Sequence, residues 1–243
     1  AAGSLILQQG SLLDVSGSEP VPVVFKSASG LPSVSVFGSD PGAISLTFLE
    51  ELVTDGTVTG HGRSPGLRGG ALTVSGRDTL NPLIVDGSLL ARYGADGFDA
   101  LTFSSRHGLR FSGSVDAHVA RSLTLDAPRI LGDGRETVNL SSPWIRLANT
   151  YWPNAAGGSP GQAQLSLSGD WLDVEGGVVL SGFESAALTA AGDIRLSDRL
   201  YNLEGLGSFW SGSLGASGGL TLTAGSIYPT THSQFRVEAA GWI

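Results

Sequence analysis

The chain has 243 residues, of which 36 are Gly, only 15% are charged, and the net charge is -8. Cys is absent, which excludes a disulfide scaffold, a thiolate metal site and a Cys nucleophile. Lys26 is the one Lys and the Arg residues are scattered, so no basic stripe exists to hold nucleic acid or an anionic membrane. With 41% hydrophobic residues and Gly in no three-residue period, neither a disordered chain nor a collagen-like one fits.

Taken in chain order, the predicted elements are short strands with period-2 alternation, bounded by Gly, Ser, Asp or Asn. They are Ser11–Gly17, Ala43–Phe48, Ala71–Gly76, Ala100–Ser104, Ser122–Ala127, Ala163–Gly169, Ala187–Gly192 and Gly219–Gly225. All share one template: small, apolar, Ser or Thr, apolar, polar, small. The first apolar residues are Leu13, Ile44, Leu72, Leu101, Leu123, Leu165, Leu188 and Leu220, at spacings of 31, 28, 29, 22, 42, 23 and 32 residues. The spacing of 42 reads as two turns, with Val138–Leu140 as the intermediate rung. Helical signals are weak because Gly or Pro interrupts nearly every window; residues 46–54 are the best short exception.

A repeated single-strand unit of this length predicts a solenoid. The expected fold is all-β: a right-handed parallel β-helix of roughly ten coils, with Leu, Val, Ile and Phe stacked inward and Ser and Thr facing out. An antiparallel sandwich or barrel is the alternative, since short strands with Gly turns also suit that class. Residues 1–243 are expected to form a single β-helix segment, an internal fragment of a longer chain. Loop excursions are expected near 56–70 and 149–161. The uncharged stretch from Gly205 to Phe235 is too rich in Gly, Ser and Thr to span a bilayer.

Candidate sites are few. Gly94–Leu101 partly matches a calcium nonapeptide, but a single copy reads better as a turn followed by a rung. Asp170, Asp173 and Glu175 form the closest acidic cluster, and alternation puts Asp173, Glu175 and Trp171 outward with Leu172 and Val174 inward. Paired carboxylates could serve a β-helical polysaccharide hydrolase or lyase, although two outward acids on one strand also describe a solvated face. Glu50-Glu51 is a second acidic pair of the same kind. His61, His107, His118 and His232 lack metal-ligand spacing. No nucleophile elbow or phosphate loop occurs. No catalytic residue, metal or cofactor is assigned. The aromatics Trp144, Tyr151, Trp152 and Trp210 lie near turns or in loops. Tyr151, Trp152 and Trp210 are the candidate ligand-binding residues, because an exposed aromatic face can stack on a sugar ring or a partner; Trp144 and Trp210 could instead pack the coil ends.

Three segments carry a family resemblance: Gly10–Gly17, Ser122–Ile130 and Gly219–Thr231, the last with an Ile-Tyr-Pro-Thr-Thr extension after its rung. They resemble the shaft of filamentous haemagglutinin-like exoproteins, the large adhesins of two-partner secretion in Gram-negative bacteria. The secretion domain of that family carries Asn-Pro-Asn motifs, whereas this chain has only Asn81-Pro82-Leu83, so the likeness is to a later shaft segment. The resemblance implies a secreted or cell-surface protein that is no enzyme, an outer-membrane transporter as partner during export, and a host-cell or matrix glycan or protein as ligand. It supplies no catalytic residues. The lack of Cys is consistent with export as an unfolded chain. A passenger fragment of a single-chain autotransporter is a third possibility.

Overall fold

A computed structural model describes residues 3–19, 21–63, 67–77, 81–151, 158–203 and 207–243, apart from 27–31. Alternation does produce strands, and they stack in parallel. From Phe98 onward the described strands fall on three faces in turn, except that no second-face strand is described between Trp144–Ala148 and Ala163–Gly169. The first face holds eight parallel strands: Ala43–Phe48, Gly70–Gly76, Phe98–Ser105, Ser122–Asp126, Trp144–Ala148, Trp171–Glu175, Asp193–Ser197 and Ser226–Pro229. Six strands make the second face, from Leu83–Val85 to Arg236–Ala239, and five make the third, from Val115–His118 to Gly219–Thr223. The parallel β-helix expected from the repeats is therefore present, with eight strands on its longest face instead of ten coils. At about 4.8 Å per strand that face runs roughly 34 Å along the axis.

Register explains the apolar template. Ile44, Leu72, Leu101, Leu123, Ile145, Leu172, Ile194 and Ile227 are successive partners in one column. Leu72, Leu101, Leu123, Ile145, Leu172 and Ile194 are buried. Each buried Leu or Ile contributes about 1.5–3 kcal/mol relative to exposure. Leu188, counted in the same series of rungs, belongs elsewhere: it pairs with Leu167 and Leu222 on the third face. The rungs Ala163–Gly169, Ala187–Gly192 and Gly219–Gly225 all lie on that face, as does Val138–Leu140. Inward Leu alternating with outward Ser or Thr is the same on both faces, so the template merges two stacks into one series.

The one helix among the described residues, α1 (Gly87–Ala95), takes the place of a third-face strand in its winding. Asp86 caps it, its Oδ1 accepting from Leu89 N at 2.8 Å. Leu90 and Tyr93 pin it to the core. Residues 46–54 are not helical: Leu46 and Phe48 alternate inward on a first-face strand and Leu52–Thr54 pairs with Leu5–Leu7. Tertiary pairing outweighs the weak local propensity there. In Gly94–Leu101, Gly94 and Ala95 close α1, Asp96 and Gly97 (φ 90) form the expected turn, and Phe98 opens the expected rung.

Among the described residues, two hairpins leave the windings. An antiparallel hairpin, Val21–Lys26 with Pro32–Phe37, lies near the N-terminus. A second, Arg199–Leu203 with Gly207–Ser211, leaves between the first and second faces. Of the loop expected at 56–70, Thr57–Thr59 is a strand paired with Leu12–Asp14, and residues 64–66 lie outside the described residues. Of the loop expected at 149–161, residues 152–157 lie outside the described residues, and on the second face Arg129–Leu131 pairs directly with Gly177–Ser181. The start of that loop is held by polar contacts: Asp126 accepts from Thr150 N at 2.8 Å and Thr150 Oγ1 at 2.7 Å. Asn149, fully buried, donates to Gly177 O at 2.7 Å. Gly176 is required beside it: at φ 76 a Cβ would lie 2.3 Å from the Tyr201 hydroxyl. That hydroxyl donates to Asn149 O at 2.8 Å and so ties the second hairpin to the core.

Candidate functional site

The outward positions of the first face change character along the axis. The first strands present Ala43, Ser45 and Thr47, then Ala71, Thr73 and Ser75, then Ala100 and Thr102, then Ser122 and Thr124. The same columns then carry Trp144 and Arg146, Trp171 and Asp173 with Glu175, Asp193 with Arg195, and finally Tyr228. Trp144 and Trp171 are adjacent register partners, each 46% exposed.

Ion pairs and hydrogen bonds between windings organise this strip. Arg195 grips Asp173 with two bonds, Nε to Oδ1 at 2.6 Å and a terminal nitrogen to Oδ2 at 2.7 Å, the fork geometry that makes Arg–carboxylate pairs directional. The same Asp173 Oδ2 accepts from the Trp144 indole at 2.7 Å. Arg195 also lies over the Trp171 ring, 5.7 Å from its centroid. Glu175 is held by Arg146 from one side and by Arg199, at the root of the second hairpin, from the other. Burial pushes the Glu175 carboxyl up, but the two guanidinium groups more than reverse this and hold it below the usual carboxylate range. Tyr228 Oη donates to Asp193 Oδ2 at 3.0 Å.

The expectation that Asp173, Glu175 and Trp171 share the outward face matches the strand, where Leu172 and Val174 are buried. Asp170 is exposed at the preceding turn. Both strand carboxylates are occupied by Arg partners. Those partners, Arg146, Arg195 and Arg199, escaped the sequence reading because they lie 22 to 29 residues away. An acid on one outward strand with Arg at coil-length spacing was the available signal.

The aromatic candidates separate. Tyr151 is half-buried, its hydroxyl sharing a 2.7 Å hydrogen bond with Ser104. Trp152 lies outside the described residues. Trp210, 65% exposed, stands on the second hairpin opposite Leu200. It borders an open groove of about 600 Å³ whose other wall is the turn Thr231–Gln234. Trp144 lies near a turn as expected, directly after the bend at Pro143, but it opens a mid-sheet strand and packs no coil end. Glu50 and Glu51 are exposed and line a groove with Leu49, Leu52 and Ile84 at the N-terminal end.

His61, His107, His118 and His232 are all exposed. No cluster of His, Asp and Glu among the described residues could hold a metal. Among them, no helix is long and apolar enough to cross a membrane. No family model, curated protein or solved structure matches this chain.

Proposed function

We propose that the chain is a structural and adhesive shaft segment of a large secreted bacterial surface exoprotein, akin to the filamentous haemagglutinin-like adhesins of two-partner secretion. The observation that carries this reading is the aromatic and charged strip, Trp144, Trp171, Arg195 and Tyr228, displayed outward on an eight-stranded parallel face. Stiffness comes from hydrogen bonds running along the axis from winding to winding. Adhesion comes from exposed aromatic surface presented at fixed spacing, where several weak contacts act together. A host-cell or matrix glycan or protein is the partner that such a surface fits, and an outer-membrane transporter is the partner during export. The engagement of Asp173 and Glu175 by Arg supports a role without catalysis, since guanidinium groups already hold both carboxylates.

Adherence tests the reading. Beads coated with the purified chain should bind epithelial cells or deposited matrix above albumin-coated beads. The Trp144→Ala/Trp171→Ala pair should lose most of that binding. Wild-type beads that adhere no better than albumin would sink the proposal. Turnover of neutral or acidic polysaccharide by the wild type, lost in Asp173→Asn, would replace it with the hydrolase or lyase reading.

A further inference from the structure

Trp210 differs from the two strip tryptophans in what its surroundings leave open. The Trp144 indole N–H is engaged by Asp173, and Arg195 covers Trp171. Among the described residues no hydrogen bond engages the Trp210 indole N–H or the side chains of Thr231, His232 and Gln234.

The wall opposite Trp210 is nevertheless well fixed. Ser197 Oγ and Thr230 Oγ1 lie 3.1 Å apart, and Thr230 Oγ1 and Ser233 Oγ 2.7 Å apart. Ser233 Oγ donates to Asp198 Oδ1 at 2.8 Å, and Gln234 N donates to Asp198 Oδ2 at 3.3 Å. This chain of hydroxyls holds His232 at φ 67, the one left-handed non-glycine residue among those described. A backbone in that region costs of order 1–3 kcal/mol and persists only where its surroundings determine it. His232 and the exposed Trp210 both line the groove.

We infer that this groove binds a neutral pyranose, its C–H face on the Trp210 indole and its hydroxyls on Thr231, His232 and Gln234. An exposed indole offers apolar surface without charge, which suits the C–H face of a sugar. Thr, His and Gln side chains each offer both a donor and an acceptor, matching hydroxyls, which do the same. Among the described residues no Arg or Lys lines the groove, and Asp198 adds a carboxylate to its lining, so an anionic sugar is disfavoured. The volume lies within the ordinary range for small-ligand sites. The inference deepens the adhesive reading above and rests on it for the source of the ligand, a surface glycan.

The test is titration of the purified chain with lactose, cellobiose and sodium glucuronate, read by saturation-transfer NMR and calorimetry. At least one neutral disaccharide should bind with a Kd of about 1 mM, with the strongest saturation on one face of its ring. Trp210→Ala should weaken that binding at least about tenfold. Trp210→Phe should restore part of it, and His232→Ala should weaken it about threefold. Trp144→Ala/Trp171→Ala should bind the disaccharide like the wild type. Absence of binding by both disaccharides, unchanged affinity in Trp210→Ala with native circular dichroism, or glucuronate binding as tight as the neutral sugars would each overturn the inference. Bead adherence run in parallel separates the two readings. Adherence without disaccharide binding removes the groove and keeps the adhesin; disaccharide binding without adherence does the reverse.

Discussion

The two halves of the first face share one core and differ only in what they show to solvent. Inward, Leu72 and Leu172 occupy the same column, each between two apolar partners. Outward, Thr73 and Thr102 give way along a single column to Arg146, Asp173, Arg195 and Tyr228. A parallel β-helix separates these two tasks, because alternation assigns every second residue to stacking and frees the others. Surface chemistry can therefore change from winding to winding without disturbing the stack.

The largest effects should ignore the difference between the halves. Leu72→Ala and Leu172→Ala should each lower stability by about 2–5 kcal/mol, by similar amounts, in denaturant unfolding followed by circular dichroism. A large loss at one site and none at the other would mean that the halves do not share a continuous core.

Outward substitutions should separate the halves. Arg195→Ala should cost about 1 kcal/mol, because it removes a bidentate partner from a mostly shielded Asp173. Part of that cost should vanish in high salt, because the Arg195 side of the pair remains open to solvent. Equal losses at low and high salt would point to packing of the Arg195 stem on Trp171 instead.

Acid should act in the same direction. The folded-state pKa of Glu175 is depressed below 4.5. Its contribution is therefore fully present above that value and is lost as pH falls through the lower folded pKa. Glu175→Gln should flatten the wild-type decline in stability below about pH 4.5. Asp14, held at about 2 by hydrogen bonds from Ser16 and Thr59, should keep its own contribution to lower pH at the opposite end of the molecule. The smallest effect belongs to Thr102→Ala in the plain half, expected within about 0.5 kcal/mol of wild type.

The same separation explains what the sequence disclosed. Alternation revealed the strands and the inward set, since burial enforces period 2. It could not assign rungs to faces, because Leu123 and Leu165 sit in identical local patterns yet stack in different columns. Helix α1 was missed although Asp86 followed by Ser88-Leu89-Leu90 is a start signal; Gly87 and Gly94 lower its propensity, and burial of Leu90 and Tyr93 compensates. At the surface, the outward direction of Trp171, Asp173 and Glu175 was legible from one strand. Their Arg partners were not, because adjacency there is set by coil length, which varies from 22 to 33 residues between first-face partners.

Because the chain has no Cys, a pair of nitroxide labels can be placed without background. Thr73→Cys and Tyr228→Cys lie in one outward column, six strand spacings apart. Double electron–electron resonance should give a single narrow distance centred near 29 Å, allowing for the label arms. A broad or bimodal distribution would contradict the stiff, continuously stacked pole on which the proposed adhesive function depends.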